Sequence, residues 1–231
     1  MQRKARNANS KKWNAILDAA LEVFARKGFQ DATISEIAKK ANVAEATIYE
    51  YFENKETLLF SIPAKKQNEA LEQLAFQLAG IKGALNKIRK LVWFYFWFFQ
   101  NNRPWTSVVL LILRQNKNFL NAPAYQLIRK WAQEILKIFQ EGQEEGSIRK
   151  DVNIFVARNL LLGTIEHLTT RWILMEKPKD LTEVASDAAD LIINAVKAPS
   201  SQDLFFINGS FHIGPKDVAT SDGERKELGA K

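Results

Sequence analysis

Residues 33 to 52 read Thr33-Ile-Ser-Glu-Ile-Ala-Lys-Lys-Ala-Asn-Val-Ala-Glu-Ala-Thr-Ile-Tyr-Glu-Tyr-Phe52, and the spacing within this stretch decides the fold. Its apolar positions, Ile34, Ile37, Ala38, Ala41, Val43, Ile48 and Phe52, let two short helices close over one small core. Thr33 followed three residues later by Glu36 reads as a capping box, in which each side chain satisfies a backbone N–H of the first turn. Ala38 is small enough for a close helix crossing, Asn42 tolerates the left-handed conformation of a tight turn, and Val43 plugs the corner. The spacing therefore predicts helices from Thr33 to about Lys40 and from Glu45 to Tyr51, in a helix-turn-helix. With the core side assigned, the second helix presents Ala44, Glu45, Ala46, Thr47, Tyr49 and Glu50 outward, as a segment lying in a DNA major groove must.

Outward from this stretch the helical period continues. A first helix is expected from Lys11 to Lys27, with Ile16, Ala20, Val23 and Phe24 on one face and Gly28 as its left-handed stop. A fourth runs from Lys55 to Leu78 with Pro63 as an expected kink, and others fit Lys82 to Asn101, Pro104 to Lys117, Pro123 to Glu145, Val152 to Met175 and Leu181 to Val196. No alternating strand pattern precedes residue 200, so the class is all-α: a three-helix helix-turn-helix unit, residues 1–54, then a larger helical unit, residues 55–198. Residues 199–231 form an appendage, in which Asp203 to Gly214 can make a small hairpin before a polar tail.

Composition narrows the function classes. The 231 residues, 46% of them apolar, are enough for a sizeable core. Having no cysteine, the chain has no disulfide, thiolate nucleophile or cysteine-bound zinc. His167 beside Glu166 is read as a packing residue rather than a metal ligand, so no metal or other cofactor is expected. Without a nucleophile elbow or nucleotide loop an enzyme is not expected either. The basic N-terminus lacks the apolar run of a signal peptide, and Leu91 to Phe99 is too short to span a bilayer, which leads to a cytoplasmic expectation. The formal charge is +7. Arg3, Lys4, Arg6, Lys11 and Lys12 form an acid-free arm, either a phosphate-following element or a solvated terminus.

In register, Thr33, Ile37-Ala38, Ala41-x-Val43, Thr47-Ile-Tyr49-x-Tyr51-Phe52 and Lys55-x-x-Leu58 resemble the DNA-binding signature of the TetR family of transcriptional repressors, over roughly residues 12 to 60. The resemblance implies that Thr33 and Ser35 meet phosphate at a helix N-terminus, that Tyr49 and Lys55 touch backbone, and that Ala44 to Thr47 approach base edges. Two departures stand out: Asn42 where the family often has Gly, and an uncapped Ala44 where it has Ser or Thr. Glu45 and Glu50 are unusual on a surface facing phosphate; they either sit over bases or limit nonspecific affinity.

The resemblance also implies a homodimer on a palindromic operator and a small hydrophobic effector. The helix from Val152 carries more apolar surface than one core contact requires, so Phe155, Leu160, Gly163 and His167, with Leu191, Ile192 and Ala195 of the next helix, are expected at a two-fold interface. The run Leu91-Val-Trp-Phe-Tyr-Phe-Trp-Phe-Phe99 is apolar all round and must be enclosed, whether it fills a core or lines a cavity. Leu113-Arg-Gln-Asn116, Ala157-Arg158, Gly163-Thr-Ile-Glu166 and Thr170-Arg-Trp172 are similar to the fatty-acid-degradation repressors of the family, which implies long-chain acyl-CoA as effector. The expected ligand-binding set is Trp93, Phe96, Trp97, Leu110, Leu113, Arg114, Leu162, Glu166 and Thr169, with Arg103, Arg114 and Arg171 available at a mouth. A drug-like hydrophobic effector is the second reading, and a helical adaptor without DNA binding the third.

Overall fold

The computed structural model describes residues 2–199 together with 205–207 and 210–212. The first helix, α1 (Gln2–Asp31), begins earlier than its periodicity indicates and breaks at Gly28, whose φ of 77° and ψ of 179° an L side chain rarely adopts. The chain bends there so that Phe29 folds back to 5.8 Å from the Phe24 ring. The backbone of Arg3, Lys4 and Arg6 belongs to α1, while their side chains lie outside the described residues. Next come α2 (Ile34–Ala41), α3 (Glu45–Tyr51) and the long α4 (Lys55–Leu78). Pro63 is accommodated inside one continuous α4.

Helix α5 (Ala84–Asn101) is the central mast, packed against α4, α7 (Tyr125–Glu144), α8 (Ile154–Met175) and α9 (Ala185–Val196). That enclosure buries Phe94, Tyr95, Phe96, Phe98 and Phe99 together. A side chain just past the end of α7 caps its start, since the Glu145 carboxylate accepts from the Ala84 N–H at 2.8 Å. Gly142 on α7 marks a second close approach: a Cβ there would lie 2.4 Å from Ile148 Cδ1 and 3.0 Å from Ala84 Cβ.

The expected single helix from Pro104 to Lys117 is instead four pieces. These are α6 (Arg103–Ser107), a π-helical turn (Val108–Ile112), and two 3₁₀ turns, Leu113–Gln115 and Lys117–Asn121. Asn116 ends the first 3₁₀ turn in an extended conformation, and its side chain accepts from the Asn118 N–H at 2.9 Å, an alternative to the helical ladder that asparagine readily takes. The expected helix from Leu181 likewise opens with a 3₁₀ turn, Leu181–Val184, before α9. In the appendage β1 (Phe205–Ile207) pairs antiparallel with β2 (Ser210–His212), Phe206 opposite Phe211. The rest of residues 200–231 lies outside the described residues.

Candidate nucleic-acid interface and inner cavity

Ile16, Phe24, Ile37, Ala38, Ile48 and Phe52 form the buried centre of the head, and Trp13 closes it by stacking 4.4 Å from Phe52. The capping box is present: Thr33 Oγ1 accepts from the Glu36 N–H at 3.2 Å, and the Glu36 carboxylate accepts from the Thr33 N–H at 3.4 Å. An ion pair to Lys27, helped by Thr33, holds the Glu36 carboxyl below the usual carboxylate range. Asn42 takes φ 54° and ψ 48°, and its N–H caps α2 on Ala38 and Lys39. These contacts orient α3 relative to α2, a geometry that residue types alone had indicated.

On the outer side, Thr33, Ser35, Ala44, Glu45, Ala46, Tyr49 and Glu50 are exposed and Thr47 is half-buried. Ala44 occupies the N-cap of α3 in extended conformation with no side-chain hydrogen bond. Lys55 differs from the sequence expectation. Its ammonium donates to the carbonyls of Ala32 at 2.9 Å and Gln30 at 3.3 Å and lies 4.6 Å from the Phe29 ring centroid. Placed in the first turn of α4, it clasps the α1–α2 loop instead of projecting to a phosphate.

Below the head lies a cavity of about 540 Å³, walled by α4, α5, α6, the π-helical turn, α7 and α8. Of the expected ligand-binding residues, Leu110, Arg114, Leu162 and Glu166 line it and the other five do not. Trp93 and Trp97 stack on each other 6.1 Å apart on the outer side of α5, with Trp93 beneath the Lys90 ammonium. Phe96, Leu113 and Thr169 are fully buried elsewhere in the core. The reason is helical phase: α5 turns Tyr95, Phe98 and Phe99 toward the cavity and leaves Trp93 and Trp97 behind. Of the three arginines considered for a mouth, Arg114 lines the cavity, whereas Arg103 is held by Glu176 at 2.7 Å and stacks on Trp172.

Arg114 pairs with Glu166 at 2.5 Å across the cavity wall. Burial pushes the Glu166 carboxyl above its ordinary range, and the Arg114 charge opposes part of that rise. The Tyr95 phenol beside them is buried and also pushed up, chiefly by desolvation. Sequence reasoning missed Pro63 and Gln67 from α4, Trp105 from α6, Trp131 from α7 and Arg158 from α8. Any of these reads as ordinary helix surface or core until four helices are placed around one space.

A shallow apolar groove runs between α8 and α9, lined by Leu160, Gly163, His167, Leu168 and Leu191. Leu191 is 74% exposed, and Leu160, Gly163, His167 and Ala195 are exposed too. Ile192 is 2% exposed and faces inward, whereas Phe155 is exposed and also lines the cavity. A one-residue step along α9 turns a side chain by about 100°, which separates Leu191 from Ile192.

Comparison with known proteins agrees with this architecture. Residues 16–62 match the family of bacterial regulatory proteins described as the tetR family, and residues 64–195 match the C-terminal region of YsiA-like proteins. The fatty acid metabolism regulator protein of Bacillus subtilis is 28% identical over 185 residues, covering 80% of this chain and 95% of the relative. The solved structure of the transcriptional regulator FadR from Bacillus subtilis in complex with stearoyl-CoA superimposes with a TM-score of 0.73 at 28% identity, covering 78% of this chain and 97% of that one. The fatty acid degradation regulator FadR from Bacillus halodurans also gives 0.73 at 28% identity, over 79% and 94%. With its helix-turn-helix head, its helical body and matches spanning both, the chain is a transcriptional regulator of the TetR family.

Proposed function

We propose that two copies of this chain hold a palindromic operator and repress transcription until a long-chain acyl-CoA enters the inner cavity. The observation that carries this is the shared wall: Pro63 and Gln67 of α4 face the same space as Leu110 and Arg114, so a ligand there bears on the helix that begins at the reading head. Two further contacts support it. Asn116 and Asn118, just beyond Arg114, donate to Glu56 of α4 at 3.0 and 3.2 Å. The residue before Glu56, Lys55, clasps the loop leading into α2. In this reading residues 1–54 are the DNA-binding unit, residues 55–198 bind effector and dimerise, and residues 199–231 are an appendage.

On the operator, Thr33 and Ser35 at the N-terminus of α2 and the Tyr49 hydroxyl meet phosphate, while Ala44, Glu45, Ala46, Thr47 and Glu50 lie along base edges. The α8–α9 groove with Leu160, Gly163, His167, Leu191 and Ala195 meets its two-fold mate, which spaces the two heads. The stearoyl-CoA described with the Bacillus subtilis relative supports an acyl-CoA, and the Arg114, Arg129 and Arg158 guanidiniums at the cavity suit its phosphates. No described helix is long and apolar enough to cross a membrane, and a DNA-bound regulator works in the cytoplasm.

Fluorescence anisotropy on a labelled fragment from the chain's own upstream region tests the whole scheme. Binding should be specific and salt-dependent, and hexadecanoyl-CoA should release it. Unchanged operator affinity across saturated acyl-CoAs of different length would remove acyl-CoA as the effector and leave the DNA-binding assignment standing.

A further inference from the structure

Among the described residues, five buried side-chain polar atoms have no hydrogen-bond partner within the protein: Gln67 Oε1, Trp105 Nε1, Trp131 Nε1, Arg158 Nε and Thr169 Oγ1. Buried polar groups are nearly always paired, so their distribution is informative. All but the Thr169 hydroxyl belong to residues lining the inner cavity described above. Gln67, Trp105 and Trp131 are each more than nine-tenths buried.

The set has a definite sense. An indole N–H donates only, and so does a guanidinium Nε; three of the four atoms therefore require an acceptor. An alkyl chain offers none, and filling the cavity with saturated hydrocarbon would also expel any water able to serve them. The indoles lie among rings: Trp131 edges onto Tyr95 at 5.1 Å, and Trp105 onto Phe98 at 5.6 Å. Each of these two rings thus meets an aromatic neighbour and belongs to the cavity lining, while its buried N–H has no partner within the protein.

We infer that the effector places at least one hydrogen-bond-accepting oxygen inside this cavity, against the indole N–H groups of Trp105 and Trp131. The ligand class is accordingly an acyl conjugate with a buried carbonyl or hydroxyl, and not a chain whose buried stretch is hydrocarbon alone. This deepens the acyl-CoA reading and rests on it. The oxygen can come from two sources: an amide carbonyl of the pantetheine arm, or an oxygen on the acyl group itself, at the thioester or along the chain. Arg158 Nε is a third donor for the same oxygen-bearing stretch, and Gln67, whose amide presents both a donor and an acceptor, would receive a hydroxyl.

The test uses the full chain and calorimetric titration with hexadecanoyl-CoA, 3-hydroxyhexadecanoyl-CoA and the thioether S-hexadecyl-CoA, which lacks the thioester carbonyl. Trp105→Phe and Trp131→Phe keep an aromatic ring and delete the N–H, and unaltered ligand-free operator binding certifies their fold. The expected result is that at least one of them weakens binding by about tenfold, as a site built to hydrogen-bond a substrate oxygen does when the bond is lost. A loss common to all three ligands places the acceptor on the pantetheine arm; a loss confined to the two oxygenated acyl groups places it on the acyl group. If both variants bind all three ligands as tightly as the parent, water meets the indoles and the inference is overturned, while the acyl-CoA reading survives. Should none of the three ligands bind the parent, the acyl-CoA reading fails and this inference fails with it.

Discussion

Ala44 precedes α3 without a side-chain acceptor, so the first turn has no side-chain cap, and the Thr47 N–H donates to the Ala44 carbonyl at 3.0 Å. Ala44→Ser should raise stability by about 1 kcal/mol through an N-cap, read from the midpoint of urea unfolding. Lys55 allows a sharper distinction. Its ammonium is bound to the Ala32 and Gln30 carbonyls, so Lys55→Met should destabilise the head by about 1–3 kcal/mol and leave the salt dependence of operator binding unaltered. A phosphate contact would behave oppositely, lowering the salt slope by about 1 with stability intact. Glu166 adds a pH dependence opposite in sign to that of Glu36, Glu145 and Asp180, whose carboxyls titrate below their ordinary range. Its carboxyl titrates above the ordinary range because it is buried, so the folded chain binds more protons than the unfolded one as pH climbs from that range, and this group's contribution to stability falls over the same window. A ligand anion that draws Arg114 away removes the opposing charge and pushes the carboxyl further up. Effector binding should then take up protons and tighten as pH falls toward the ordinary carboxylate range. Calorimetry in buffers of different ionisation heat checks this, and Glu166→Gln should abolish the buffer dependence.

At the scale of elements, the broken segment from Arg103 to Asn121 is the piece most altered from its expected form. Replacing a regular helix by a π-helical turn and two 3₁₀ turns brings Leu110 and Arg114 to the cavity and Asn116 and Asn118 to Glu56. Irregular turns of this kind recur at functional sites because they re-aim side chains. If the segment transmits effector binding to α4, Glu56→Ala should leave effector affinity and operator affinity each within about twofold, while reducing their mutual coupling by about tenfold, within the usual range of such couplings. Operator titrations with and without saturating effector measure it. Coupling equal to that of the parent would show that the signal reaches α4 directly through Pro63 and Gln67.

For the whole molecule, the exposed face of α8 and α9 is the decisive surface. Leu191 is 74% exposed, so Leu191→Arg should not unfold the subunit. On a two-fold interface it places two like charges against apolar surface. The expected outcome is a monomer by light scattering, with operator affinity at least about a hundredfold lower because only one half-site can be held. A dimer that persists in this variant would put the interface elsewhere.

The reading head was legible in the sequence because its determinants are local. Thr33 with Glu36, the left-handed Asn42 and the i, i+3, i+4 spacing of Ile34, Ile37 and Ala38 each specify geometry within a few residues, and the capping box and turn are found as those residues imply. The bounds of α3 and the start of α4 also fall where the local spacing puts them, Asn54 capping α4 through its side chain. The cavity was half legible. Arg114 and Glu166 lie in stretches similar to the fatty-acid-degradation repressors and do line it, as do Leu110 and Leu162, but the bulk of Trp93, Phe96 and Trp97 carries no information on helical phase. Only the tertiary structure could decide which side of α5 is hollow, because that depends on where α4, α7 and α8 pass it. The arrangement of helices around one space likewise decided that Trp105 and Trp131 leave their N–H groups unanswered in its wall, a property belonging to no single stretch of sequence.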